Sequence, residues 1–546
     1  MKNIIRTLLL AVAFCAALPV AATAASRDTS PCPRPDASSE VTQPPDLYSQ
    51  SGKLDVTLNY FTEVDNLGRT LFCFVTDDGK ESPTLHVNPG DTINITLTNM
   101  VPPVPGAPVE RMSNDTTVCG DPDMTVTSVN MHFHGTNTSP TCHSDEVIHT
   151  LINSGETFTY RLRIPKDEPP GLYWYHPHVH GISSQTVQGG ATGAIEVEGI
   201  ASVQPAVTGL PERYLVLRDQ QLRFQSHRPD GHGLGPVPNW DLSVNYVPVS
   251  WPYYPPAIIK MQAGGQEFWR VVNAGANTIM DISLTYDGVA QPLQVVAFDG
   301  VPTGSKDGKH QGSIVTETHL LLAPSGRAEF IVTAPTSSST VALLSTAAID
   351  GGPFGDSNPA RPLAKIVTDS APLALHRMTA SSAQRRGMRF DDLANAKVTA
   401  QRLLYFSEKN PPGARGHEGT AFFITVDGQK EQVFNPDAPP AITTTRGAVE
   451  EWTIENRTAE VHEFHMHQIH FLVESINGVE IPKKQQQLYD VFQVPYWDGK
   501  GDPTNIKVKM DFRGPTVGDF VYHCHILDHE DLGMMAIIRV LPKAGG

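Results

Sequence analysis

Between His523 and Met534 the chain packs three histidines, a cysteine and a methionine into twelve residues: His523-Cys524-His525-Ile526-Leu527-Asp528-His529-Glu530-Asp531-Leu532-Gly533-Met534. Imidazole is the commonest biological metal ligand, and a thiolate flanked by imidazoles selects a soft, redox-active ion. Cysteine, histidine five residues on and methionine five further fit two imidazoles, one thiolate and a weak axial thioether, the ligands of a blue (type 1) copper site. Extended backbone turns successive side chains to opposite faces, so His523 and His525 face one way and Cys524 the other. One metal can then sit on the Cys524 side and a different centre on the two-histidine side, joined by a short covalent path.

Three more clusters repeat the H-x-H spacing: His132-Phe133-His134-Gly135, Trp174-Tyr175-His176-Pro177-His178, and His462-Glu463-Phe464-His465-Met466-His467. In a strand this spacing puts two imidazoles on one face. One such pair is weak evidence, but four of them, two in each outer part of the chain, point to one shared polymetal centre. The surrounding sequence echoes itself. Pro89–Asn99, Gly265–Asn273 and Gly447–Asn456 each read as glycine, alternating strand and asparagine, at a spacing of roughly 180 residues, which implies three related all-β units. Gly171–His178 also matches Gly518–His525, with Pro177 where the later copy has Cys524. The middle copy, around Thr340 to Thr346, has neither histidine nor cysteine, and reads as a spacer that positions or covers the metal-bearing units.

At 546 residues the chain exceeds one ordinary domain. Its 45 prolines favour turns and short strands over long helices. A formal charge of −17 argues against nucleic acid and anionic membranes as partners. Residues 1–24 read as an export signal, with Lys2 and Arg6 before an apolar run from Leu8 to Leu18 and an A-x-A site at Ala22-Thr23-Ala24. The run is too short to span a bilayer, so the mature protein is expected to be periplasmic or secreted, with no membrane insertion. Cys15 leaves with that leader, and Cys32, Cys73, Cys119 and Cys142 remain for two disulfides in an oxidising compartment. Cys119–Cys142 is the favoured pair because it brackets one loop-rich stretch around a histidine motif.

In ligand type, order and spacing, the four motifs resemble those of three-domain multicopper oxidases of the laccase type, over essentially the whole mature chain. The resemblance implies an all-β chain of three consecutive cupredoxin-like Greek-key β-barrels, at 45–200, 205–370 and 395–546. Four copper ions are implied, with the trinuclear cluster between the first and third domains. By motif position, His132 and His465 resemble the type 2 ligands, and His134, His176, His178, His467, His523 and His525 those of the type 3 pair. His462, Cys524 and His529 resemble the type 1 equatorial ligands, with Met534 axial. Glu530 matches an acid that helps deliver protons to the cluster, and Asp145 and Glu146 are candidates for a second acid, although Ser139–His143 departs from the common spacing.

Phe133 stands where the family often has Trp, and Glu463 where Pro is usual; Glu463 is expected to be a solvated loop carboxylate. His143, His149, His180 and His470 match no ligand role and read as structural. The implied activity is one-electron oxidation of phenols or aromatic amines by a monomer, with O2 reduced to water. A cuprous or ferrous oxidase is the alternative, weakened by thirteen methionines that are scattered rather than clustered. A copper-free structural relative is disfavoured because every expected ligand is present.

Overall fold

The computed structural model describes residues 30–113, 119–222, 236–369, 374–379, 389–390, 392–411, 417 and 419–543. The expected leader, with Cys15, lies outside these residues. Strands dominate, and the three α-helices among the described residues are Ser183–Gln188, Ile200–Val203 and Leu527–Asp531.

Six large sheets fall into three pairs along the chain. The first unit joins a four-stranded sheet centred on Lys53–Val64 and Thr92–Asn99 to a five-stranded sheet ending in Gly171–His176 and His132–His134. Its core holds Leu58, Ile95, Phe133 and Tyr175. An eight-stranded and a six-stranded sheet form the middle unit, with strands drawn only from Glu212–Gln221 through Arg361–Asp369, around Trp269, Val271 and Phe330. The third unit pairs a seven-stranded sheet with a five-stranded one that runs Ile442–Thr445, Met535–Leu541, Gly518–Cys524, His462–Met466 and Val491–Val494. Trp452, Phe464, Cys524 and Met534 lie in its core.

The recurring glycine–strand–asparagine segments form Thr92–Asn99, Gln266–Asn273 and Val449–Asn456, each with a parallel neighbour on one edge. Their period-two pattern puts every second side chain in the core, as in the fully alternating burial of Thr92–Asn99. The terminal asparagine is fully buried in all three. Asn99 Nδ2 donates to the Thr127 and Ile152 carbonyls (2.7 and 2.9 Å), and Asn273 Nδ2 to those of Thr278 and Leu322 (2.8 and 3.0 Å). Asn456 Nδ2 reaches Glu460 and Val494 (2.8 and 3.3 Å). Each Oδ1 accepts the N–H two residues on, from Val101, Gly275 and Thr458. The asparagine thus satisfies main-chain groups where the strand leaves its sheet inside the protein, and this is why the residue recurs.

The cysteines pair as Cys32–Cys73 and Cys119–Cys142, the latter as the loop-bracketing argument expects, and Cys524 is free and buried. Removing one asparagine pin strands two carbonyls and an N–H at a cost of about 1–3 kcal/mol per buried group. Asn273→Ala, in the unit without metal-ligand motifs, should therefore lower the unfolding free energy by about 3 kcal/mol in denaturant titration. A loss below about 1 kcal/mol would mean that water or rearrangement replaces the pin.

Candidate metal centre

The Gly518–Cys524 strand is buried from Phe520 onward and pairs with His462–Met466 so that Phe464 faces Cys524 and His465 faces His523. Alternation sends the Cys524 thiol into the third unit's core and the neighbouring imidazoles toward the first unit. On the thiol side, Cys524 Sγ lies 3.6 Å from His462 Nδ1 and 3.7 Å from His529 Nδ1, and those two nitrogens are 3.1 Å apart. The helix Leu527–Asp531 brings His529 back toward the cysteine. The outer nitrogens are engaged elsewhere: His462 Nε2 meets Thr458 Oγ1 at 2.9 Å, and His529 Nε2 faces Glu460 at 3.7 Å. Met534 is fully buried in the same core cluster, and its carbonyl accepts the Cys524 N–H at 3.1 Å.

On the other face, imidazoles from all four motifs converge. In the first unit, Tyr175 pairs with Phe133 and His176 with His132. Rings from the two outer units stack directly, His132 on His467 at 3.9 Å and His134 on His465 at 4.0 Å between centroids. His523 Nε2 is 3.3 Å from His178 Nε2 and 3.2 Å from His467 Nε2. The His525 ring lies 4.9 Å from His134 and 5.6 Å from His176.

The nitrogens left over fit metal ions. Nδ1 is tied to Asp145 in His132, to the Pro177 carbonyl in His176, to the Asp490 carbonyl in His465 and to the Cys524 carbonyl in His523. His132, His176 and His465 each keep a buried Nε2 with no protein partner; in His134 the unpartnered atom is Nδ1, and in His525 both nitrogens are unpartnered. Buried polar atoms without partners are costly, and a cluster of them aimed at one space is what a metal centre requires. Burial also holds these rings neutral and ligand-ready. The values of His134, His176, His465, His467, His525 and His529 fall well below the ordinary one, those of His178 and His523 to about 3, and that of His462 to about 4.

Several acids take clear places. Asp145 Oδ1 meets His132 Nδ1 at 3.0 Å, and its other oxygen accepts from Gln468 at 2.6 Å, so it orients a ring. Glu146 instead accepts N–H groups from Ile148 and His149 in its own turn. Glu530 is fully buried, with both oxygens unpartnered and Oε1 3.9 Å from His178 Nδ1. Glu463 differs from expectation: it is fully buried in the His462–Met466 strand, not a solvated loop residue. Its N–H points where the Gly518–Cys524 ladder ends and donates to Cys524 Sγ at 3.4 Å. Burial raises its carboxyl to about 8.

His143, His149, His180 and His470 contribute no nitrogen to these groups. His143 bonds the Thr159 carbonyl, His149 faces Glu146 and Asp437, His180 stands 4.0 Å from Glu530, and His470 bonds the Asp299 carbonyl. Sequence reasoning missed Asp490, Arg327 and Glu460, which support ligands from distant parts of the chain. The signal available was an acid or base embedded in an apolar strand, as in Tyr489-Asp490-Val491. Beside His529 a slot of about 30 Å³ is lined by Trp240, Ile279, Asp356, His417, Glu460 and Ile526.

Fold and site together define an all-β protein in which a buried thiol with two imidazoles and a polyhistidine group, both fit for metal, share one strand. Residues 103–201 and 410–544 each match the family description "Multicopper oxidase". Both matches fall on the outer units that carry the histidine motifs, and together they span less than half of the chain, so these two segments are what is similar to that family. A multicopper oxidase of Staphylococcus haemolyticus is 33% identical over 127 residues, 22% of this chain and 26% of that one, so the match spans about a quarter of that relative's length. A laccase of Haloferax volcanii is 25% identical over 494 residues, 84% of this chain and 76% of its own. Among solved structures, a Campylobacter jejuni multicopper oxidase described as a metallo-oxidase superposes with a TM-score of 0.65 at 20% identity, over 93% of this chain and 96% of its own. A laccase-like oxidase from Ochrobactrum sp. gives 0.63 at 19% identity, over 93% and 100%. These likenesses establish the cupredoxin-like fold.

Burial pushes the Cys524 thiol well above its ordinary range, despite the Glu463 N–H. Metal uptake between His462, Cys524 and His529 must then displace one proton, while the two imidazoles release none above about pH 4. Copper affinity at this triad should rise about tenfold per pH unit between pH 5 and 8. Recovery of blue absorption on titrating copper into stripped protein measures it; a pH-independent affinity would mean that the thiolate is already formed without metal.

Proposed function

We propose that this chain is an oxygen-reducing copper oxidase with four ions: type 1 copper at His462, Cys524, His529 and Met534, and a trinuclear cluster held by the eight converging imidazoles. His132 and His465 would hold the type 2 ion, and His134, His176, His178, His467, His523 and His525 the type 3 pair. When bound, copper would supply one-electron steps at the first site and the four-electron reduction of O2 to water at the second. The observation that carries this reading is that one tripeptide, His523-Cys524-His525, has its thiol among two imidazoles and its own imidazoles among six others.

The protein's work is then to position and connect. The backbone of Cys524 spans the two sites, and the His523 Nδ1–Cys524 carbonyl hydrogen bond (2.9 Å) adds a second link. Glu530, buried beside His178 with no hydrogen-bond partner, supports a role as proton carrier, and Asp145 holds His132 with Nε2 inward. Division into units near 45–200, 205–370 and 395–546 follows the three sheet pairs, with export and a monomeric state as the accompanying reading. No helix among the described residues is long and apolar enough to cross a membrane.

For the reductant, Trp240, Ile279 and Ile526 give the slot beside His529 an apolar wall suited to a phenol or aromatic amine. The second reading, a cuprous or ferrous ion, is favoured by the slot's small size and by Asp356, Glu460 and His417 in its lining. Comparing turnover of a dimethoxyphenol with that of Cu(I) separates them, and activity on metal ions alone would overturn the phenol reading. Cys524→Ser should abolish blue absorption and bring oxidation of either reductant to background while copper remains bound at the cluster. An intact blue band in that variant would refute the type 1 assignment.

A further inference from the structure

Among the described residues the middle unit supplies no ring or thiol to either group, yet one of its side chains reaches the cluster wall. Arg327, first residue of the Arg327–Thr333 strand, is fully buried and grips Asp490 of the third unit with two prongs, Nη1 to Oδ1 at 2.7 Å and Nη2 to Oδ2 at 2.5 Å. Two more of its donors go to the Ser325 and Leu172 carbonyls. Asp299, also from the middle unit, accepts the N–H of Arg327 at 2.8 Å and that of Asp490 at 3.1 Å, which fixes both backbones.

Asp490 in turn touches two of the converging imidazoles. Its Oδ1 meets His134 Nε2 at 3.1 Å, and its carbonyl accepts from His465 Nδ1 at 2.7 Å. A carboxylate accepts only, so His134 must carry its hydrogen on Nε2 and present Nδ1, the reverse of His132, His176, His465 and His523. That Nδ1 is the buried atom without a partner. Gly135 makes the arrangement possible: with φ of +83°, a Cβ there would lie 2.4 Å from Arg327 Nη2 and 2.6 Å from Asp490 Oδ2.

We propose that Arg327 is a positioning residue for the trinuclear centre. Acting through Asp490, it sets the nitrogen that His134 offers and the aim of His465, so that the middle unit controls occupancy of the cluster its neighbours share. This rests on the copper reading above. Wild-type protein that bound no copper would defeat that reading first, before any variant is compared.

The test loads full-length wild type and Arg327→Lys with copper, dialyses both against a graded chelator, and follows copper per chain, blue absorption and the type 2 EPR signal. Lysine keeps the charge but not the two-pronged grip. Cluster copper should leave Arg327→Lys at about 10–100-fold lower chelator concentration, with blue absorption unchanged. Wild-type retention, or parallel loss of both sites, would overturn the proposal. If Arg327→Lys does not fold, two uncharged pairs decide. Arg327→Met with Asp490→Asn keeps an oxygen for His134 Nε2 and should hold cluster copper about 10–100-fold more tightly than Arg327→Met with Asp490→Leu, which has none. Equal retention by the two pairs would also overturn it.

Discussion

The twofold alternation of one buried strand governs everything around it. A helix at His523–His525 would fan the three side chains over a wide arc, whereas the extended Gly518–Cys524 strand sets them on opposite faces. Such a strand needs neighbours on both edges, which Met535–Leu541 and His462–Met466 provide. Beside or within each neighbour lie candidate ligands, Met534 just before the first and His462 and His465 within the second. The ladder that satisfies the backbone is thus the same ladder that places the candidate ligands.

Keeping so many imidazoles in a dry interior has a cost, and the structure offsets it one atom at a time. For most rings a carbonyl, hydroxyl or carboxylate occupies one nitrogen and leaves the other for the shared space. These partners lie in the same unit as the ring they hold, Pro177 and Cys524 immediately beside it, whereas His134 is held across a junction by Asp490 and so requires the outer units to dock tightly. Arg270 of the middle unit serves a similar end away from the metal centre, meeting Glu196, Glu212 and Glu329 in a buried cluster that spans the first two units. Asp531 of the third unit accepts N–H groups from Gly181, Ser183 and Ser184 of the first, and closes the remaining junction beside Glu530.

What could be read from the sequence was whatever is local. H-x-H in an alternating strand, the Cys524-to-His529 interval and the repeated asparagine depend on neighbours within a few residues, and their geometry follows from backbone periodicity. Asp490 and Arg327 were harder to read because their meaning comes from contacts across units, and a charge in an apolar strand signals burial without naming its partner. Glu460 meets His417 and His529 within its own unit, but at separations the sequence does not reveal. Glu463 misled for a related reason. A charged side chain beside a ligand suggests solvent, but the chain buries it in the His462–Met466 strand, with Gln493 of the facing strand as its hydrogen-bond partner.

The slot beside His529 carries one more implication. The His529 ring is only 2% exposed, so under the proposed reading a bulky reductant would stay outside the wall formed by Trp240, His417 and Asp356. Tunnelling needs proximity rather than touch, and its rate decays steeply with every atom's width of separation. Under the oxidase reading proposed above, the wall would act as a ruler: molecules would be ranked by how near they can bring an oxidisable edge, with discrimination written in distance instead of in bonds.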